Sequence, residues 1–143
     1  MKRSGFTRVE DCILLEFPKV FDVRGSLTFI EGTRHVPFEI KRLFYFYDVP
    51  VGASRGGHAH KTLEQVLICV TGGLEVRLDD GAAQRVVRLS GPWNGLYIPP
   101  LIWDTEIDFE PGTVCLVLAS NYYDESDYLL DYEAFLAAKL QSK

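Results

Sequence analysis

Nowhere does the 143-residue chain approach the roughly 18 to 20 consecutive apolar residues that cross a bilayer. The opening MKRSGFTRVEDC also lacks the apolar centre of a secretory signal. With neither a span nor a leader legible, the expected location is the cytoplasm. Paired cysteines are missing as well. Cys12, Cys69 and Cys115 are odd in number, and each sits in its own apolar run (CILLEF, VLICV, VCLVLA). That excludes a disulfide scaffold and a Cys-x-x-Cys motif, and buried reduced thiols are expected. Basic residues are scarce: 15 Lys and Arg against 20 Asp and Glu give a net charge of −5 with no basic run. Nucleic acid is therefore not an expected partner. A small anion is still within reach, because a few arginines in a pocket bind a phosphate whatever the net charge. Repeats, linkers and low-complexity tracts are absent too. Residues 1–143 read as one domain, and 47% hydrophobic content suffices for a core without staples.

What is present is strand patterning. Short β-branched and aromatic segments recur: CILLEF, SLTFIE, RLFYFYDV, EQVLICVTG, GLEVRLDD, QRVVRLS, GLYIPP, DTEIDFE and VCLVLASN. Turn residues stand between them at Val23-Arg24-Gly25, Thr71-Gly72-Gly73, Asp79-Asp80-Gly81 and Glu110-Pro111-Gly112. Asp80-Gly81 is the clearest hairpin signal. Leu74, Val76 and Leu78 alternate with Glu75, Arg77 and Asp79, so the first three face a core. Alternation also places Tyr45 with Tyr47, and Phe44 with Phe46 on the opposite face. Only DESDYLLDYEAFLAAKL looks helical, with Leu129, Tyr132, Leu136 and Leu140 at helical spacing and Ser126 or Asp127 as cap. The fold class that fits is all-β: a jelly-roll or up-and-down barrel of two antiparallel sheets with a short C-terminal helix.

Two of the three histidines lie in Gly52-Ala-Ser-Arg-Gly-Gly-His58-Ala-His60-Lys-Thr-Leu-Glu64. On a strand, His58 and His60 project to one face, Lys61 to the other, and Glu64 joins the histidines if the extension continues. Polar groups on an inner wall need partners or a ligand. Arg55-Gly56-Gly57 lets backbone come close to something bound. A glycine, five residues, His-x-His and a following Glu resemble the first signature of the cupin superfamily. The region matching its second signature, Gly95 to Asp104, has Asp104 where a further histidine would fall. His58, His60, Glu64 and Asp104 are a possible metal set. A metal-free site whose imidazoles move protons is the alternative. The motif alone leaves both open.

A longer resemblance favours the second. Val23-Arg24-Gly25-Ser26-Leu27, Pro37 to Arg42, Arg55 to Lys61, Leu63-Glu64-Gln65, Leu78 to Gly81, Gly95-Leu96-Tyr97 and Leu118 to Tyr128 stand in the same order as in the dTDP-sugar 3,4-ketoisomerases. These are cupin enzymes, also found as WxcM-like domains, and the likeness runs from about Phe17 to Phe135.

That resemblance implies conversion of dTDP-4-keto-6-deoxyglucose to a 3-keto-6-deoxyhexose, with no metal or other cofactor, by a homodimer often built with exchanged N-terminal strands. It also implies catalytic roles for His58, His60 and Tyr45: His60 as base toward C3, His58 and Tyr45 handling oxygen protons. Arg24, Arg42 and Arg55 fall in motifs near the nucleotide, and guanidinium groups fit a pyrophosphate bidentately. Glu64, Tyr47 and Asp104 complete the expected substrate-binding set. Relatives usually carry His where this chain has Asp104. Outside this reading stand a metal-dependent cupin, an epimerase or dioxygenase, and a sugar-nucleotide-binding module without turnover.

Overall fold

The computed structural model describes residues 6–143. Twelve strands and one helix are ordered as β1 (Ile13–Glu16), β2 (Lys19–Asp22), β3 (Gly25–Thr28), β4 (Arg42–Phe46), β5 (Arg55–His60), β6 (Gln65–Thr71), β7 (Leu74–Asp79), β8 (Gln84–Leu89), β9 (Asn94–Ile98), β10 (Trp103–Ile107), β11 (Val114–Ala119), β12 (Tyr128–Leu129) and α1 (Tyr132–Gln141). One five-stranded sheet runs β1-β9-β6-β11-β4, a second β12-β5-β10-β7-β8, and β2 and β3 form a separate hairpin. Each strand pair within these sheets is antiparallel. This is the pair of antiparallel sheets with a short C-terminal helix expected from the patterning.

Burial follows the alternation. Leu67 and Cys69 of β6, Leu96 and Ile98 of β9, and Cys115 and Val117 of β11 meet Leu74, Val76, Leu78 and Leu89 of β7 and β8. Each such leucine contributes about 1.5–3 kcal/mol when fully buried. The three cysteines are free and buried, and burial pushes the Cys12 thiol up to about 12. The β7–β8 hairpin closes where Asp80-Gly81 called for it: Gly81 has φ 91°, and Asp80 Oδ1 accepts from the N–H groups of Ala82 and Ala83 at 2.8 and 2.7 Å. The outer face of the first sheet is covered by Phe17, Val36 and Phe38.

Two details of the C-terminal segment differ from the sequence expectation. The helix begins at Tyr132 under an Asp131 cap whose carboxylate accepts from the N–H groups of Glu133 and Ala134. Ser126 and Asp127 instead lie in a 3-10 turn, Glu125–Asp127, that leads into β12. The inward face of α1 keeps Leu136 but centres on Phe135 and Lys139 rather than reaching Leu140. Phe135 and Lys139 are buried and Leu140 is exposed. A lysine can point inward here because its Nζ donates to the Thr7 carbonyl and to Leu101 O, and Leu101 N–H donates in turn to His60 O at 2.8 Å. The helix thereby anchors the end of β5.

β1 pairs with β9 of the same chain. The β2–β3 hairpin bonds to neither large sheet and leaves Val20, Phe21, Val23 and Leu27 exposed.

Candidate active site

β5 enters the inner wall through Gly56 and Gly57, both at positive φ, 78° and 77°. Gly56 is fixed by space as well as by conformation. A Cβ there would lie 2.5 Å from Glu106 Oε2 and 2.9 Å from Asp104 O. Alternation then turns His58 and His60 to one face, their ring centroids 5.0 Å apart at 82°, while Ala59 packs outward against Leu129 and Phe135. Lys61, beyond the strand, is exposed.

Tyr128, which the sequence reading did not single out, closes the pair from β12. It sits opposite His60 in register, with its ring 4.3 Å from His60 and 5.2 Å from His58. His60 is 4% exposed and its Nδ1 has no hydrogen-bond partner among the described residues. Asp127 Oδ2 stands 3.8 Å from that nitrogen. Asp127 is itself held by Thr62 N–H and O–H and by Leu63 N–H. Burial, reinforced by the neighbouring His58, lowers His60 to about 4, with Asp127 acting in the opposite sense. The resting imidazole is therefore neutral near pH 7 and can accept a proton.

On β10, Asp104 pairs with His58 in register and is 1% exposed, so it stands beside that histidine on the inner wall. Burial raises its pKa, while His58 pulls it back. Gln65 Nε2 donates to Asp104 Oδ1 at 3.3 Å. Glu106, two residues on, is also buried, and burial together with Asp104 raises it well above the usual carboxylate range. Neither Gln65 nor Glu106 is legible as a site residue in the sequence, where DTEIDFE gives no sign that its acidic positions turn inward.

The remaining expected residues divide. Arg42 stands on the inward side of β4, its guanidinium 5.1 Å from the Phe44 ring and 5.5 Å from Tyr123, with Nε buried and unpartnered among the described residues. Its charge adds to the lowering of His60. Arg55 lies 4.8 Å over Phe46, and shares a cavity of about 310 Å³ with Tyr45 and Tyr47. Those two tyrosines lie side by side, their tilted rings 5.8 Å apart, on the exposed face of β4, as alternation required, with Phe44 and Phe46 opposite. The phenol against the histidines is thus Tyr128, and Tyr45 stands in the Arg55 groove. A second cavity, of about 390 Å³, opens beside Tyr128 between Lys41, Asn121, Tyr123 and Asp127. Arg24 is at the tip of the β2–β3 hairpin, exposed and paired with Asp22 at 2.7 Å.

Glu64 does not continue the histidine wall. β5 ends at His60, the chain bends, and the Glu64 carboxylate accepts the Tyr97 hydroxyl at 2.6 Å. His58, His60, Glu64 and Asp104 accordingly do not converge, and no three His, Cys, Asp or Glu among the described residues are placed to hold a metal ion. None of the helices among them is long and apolar enough to cross a membrane.

Fold and site together define a class: a cupin-type double sheet with an imidazole pair on its inner wall. Residues 10–140 match the FdtA family model described as WxcM-like, C-terminal, and the chain belongs to this family. It is 46% identical over 122 residues to the TDP-4-oxo-6-deoxy-alpha-D-glucose-3,4-oxoisomerase of Aneurinibacillus thermoaerophilus, covering 85% of this chain and 88% of that one. Among solved structures, it resembles the 3,4-ketoisomerase QdtA of Thermoanaerobacterium thermosaccharolyticum bound to TDP-4-keto-6-deoxyglucose, with TM-score 0.91 and 40% identity over 94% of this chain and 97% of that one. It also resembles the TDP-quinovose 3,4-ketoisomerase WlaRB of Campylobacter jejuni, with TM-score 0.86 and 41% identity over 90% and 99% of the two chains.

Proposed function

We propose that this protein is a sugar-nucleotide 3,4-ketoisomerase acting on dTDP-4-keto-6-deoxyglucose in deoxysugar biosynthesis, with one domain carrying the whole site. The observation that carries the reading is a neutral, buried His60 beside His58 on an inner wall, in a chain so similar to known ketoisomerases.

The chemistry needs two proton transfers. His60 removes the proton from C3, and the C–H electrons form the C3–C4 double bond as the C4 carbonyl becomes an enolate oxygen. The C3 hydroxyl proton is then given up as C3 becomes the carbonyl, and a proton is delivered to C4. One proton has moved from C3 to C4 and one from O3 to O4, with no net redox change. A neutral imidazole serves the carbon, and a second imidazole with a phenol serves the oxygens. His58 takes the oxygen role. Tyr128, against both rings, is better placed than Tyr45 to assist it. Asp127 faces His60 Nδ1 and receives the charge as that ring is protonated.

Arg55 lines the groove it shares with Tyr45 and Tyr47, Arg42 stands against the Phe44 and Tyr123 rings, and both guanidinium groups suit the pyrophosphate. The exposed apolar hairpin that carries Arg24 suits a homodimer, since an apolar arm bonded to neither sheet gains a cover from a second copy. Light scattering at twice the chain mass supports that assembly, and a single chain mass contradicts it. The expected compartment is the cytoplasm. Purified protein treated with a chelator is expected to convert the 4-keto substrate to a 3-keto product. Conversion only after a divalent metal is restored would favour the metal-dependent reading, and substrate binding without conversion the binding module.

A further inference from the structure

Two carboxyl groups lie buried side by side on the inner face of β10, and the proton transfers above employ neither. Asp104 and Glu106 are 1% and 3% exposed. Two residues apart on one strand, they point the same way and lie within hydrogen-bonding reach of each other. Between two ionised carboxylates there is no donor, and Glu106 Oε2 is buried with no partner among the described residues. One shared proton supplies the missing donor and removes one of two like charges from the interior.

The surroundings assign that proton to one side. From β5, His58 faces Asp104 in register and Arg55 acts on Glu106. From β6, Gln65 donates to Asp104 Oδ1, which supports the carboxylate form there. From β7, the register partners of Asp104 and Glu106 are the apolar Leu78 and Val76. The nearby thiols of Cys12 and Cys115 are pushed up by burial and stay protonated. Asp104 thus has an amide donor and an imidazole beside it, whereas Glu106 Oε2 has no partner among the described residues, and on Glu106 burial and the neighbouring Asp104 outweigh Arg55, which stands opposite it and acts against protonation.

We propose that Asp104 and Glu106 form a one-proton carboxyl pair, with the proton on Glu106, that presents Asp104 to His58 as an ionised acceptor and so positions the imidazole for the sugar oxygens. Glu106 is a positioning residue in this arrangement, since it acts through Asp104. The consequence for turnover rests on the isomerase reading. The proton count does not, and can be tested without substrate.

Infrared spectroscopy of the unaltered protein at neutral pH, with glutamate carboxyls labelled with carbon-13, is the first test. A protonated-carboxyl stretching band that moves with the label and is lost in Glu106→Gln is expected. Absence of the band, or a band indifferent to the label, overturns the assignment. The second readout is stability against pH. Folding that carries a proton onto Glu106 loses up to about tenfold in its equilibrium constant per pH unit above the ordinary glutamate range. Glu106→Gln lacks that loss. The ratio of folding constants, variant to wild type, is therefore expected to rise with pH, and a flat ratio would overturn the proposal. Should the variant fail to fold, the labelled wild-type band decides.

Discussion

The two halves of the inner wall are built from neighbouring strands and, the half-buried His58 apart, are both buried, yet they obey opposite rules. Around β7 and β8, Leu74, Val76, Leu78 and Leu89 fill the interior with groups that ask for no partner. Around β5 and β10, His58, His60, Asp104 and Glu106 occupy equivalent inward positions, and atoms such as His60 Nδ1 and Glu106 Oε2 are left without hydrogen bonds among the described residues. An unsatisfied buried polar group costs about 1–3 kcal/mol. The apolar half stabilises the fold, and the polar half spends part of that stability on readiness for a ligand.

Substitutions that break this contrast should separate the halves cleanly. The largest effect is expected from His60→Asn, with kcat/KM reduced by about 10²- to 10⁴-fold while thermal unfolding stays cooperative. Undiminished turnover would place the base elsewhere. Leu74→Ala, in the apolar half, is expected to cost about 2–5 kcal/mol in denaturant unfolding, with kcat of the folded fraction within about twofold of wild type. A smaller contrast is read from pH. Because the folded pKa of His60 is depressed to about 4, its contribution to stability is complete above its unfolded value of 6.5 and is lost as pH falls toward the folded value. The slope is at most about 1.4 kcal/mol per pH unit. Subtracting the His60→Asn curve from wild type should reveal that slope, and subtracting the Leu74→Ala curve should not. Least of all, Tyr128→Phe is expected to lower kcat about fivefold through one lost hydrogen bond. Tyr45→Phe should do less, and the reverse order would return the oxygen role to Tyr45.

The same contrast decides what could be read from the sequence. Short β-branched and aromatic runs set between turn residues marked the nine segments in each of which a strand is found, because a strand's composition is written locally. β2 was not separated out, since all four of its residues are exposed, and β12 is two residues long and exists through its pairing with His60. The histidine pair was legible because glycines and an His-x-His spacing are compact. Tyr128, Gln65 and Asp127 were not, because they reach the site from other strands and turns. Glu106 was hidden for another reason: in β10 the acidic residues face inward, against the usual polar-out pattern. Lys139 was hidden in the same way, since a lysine on the buried face of a helix is only intelligible once its carbonyl partners are known.

The most direct test of the central claim, that the imidazole pair moves protons between neighbouring sugar carbons, is NMR of dTDP-4-keto-6-deoxyglucose incubated in deuterated water with wild type and with His60→Asn. Wild type is expected to give the ring signals of a 3-keto-6-deoxyhexose and the variant to leave the substrate unchanged. A substrate spectrum unaltered by wild type, or an equal rate of conversion by the variant, would contradict the account.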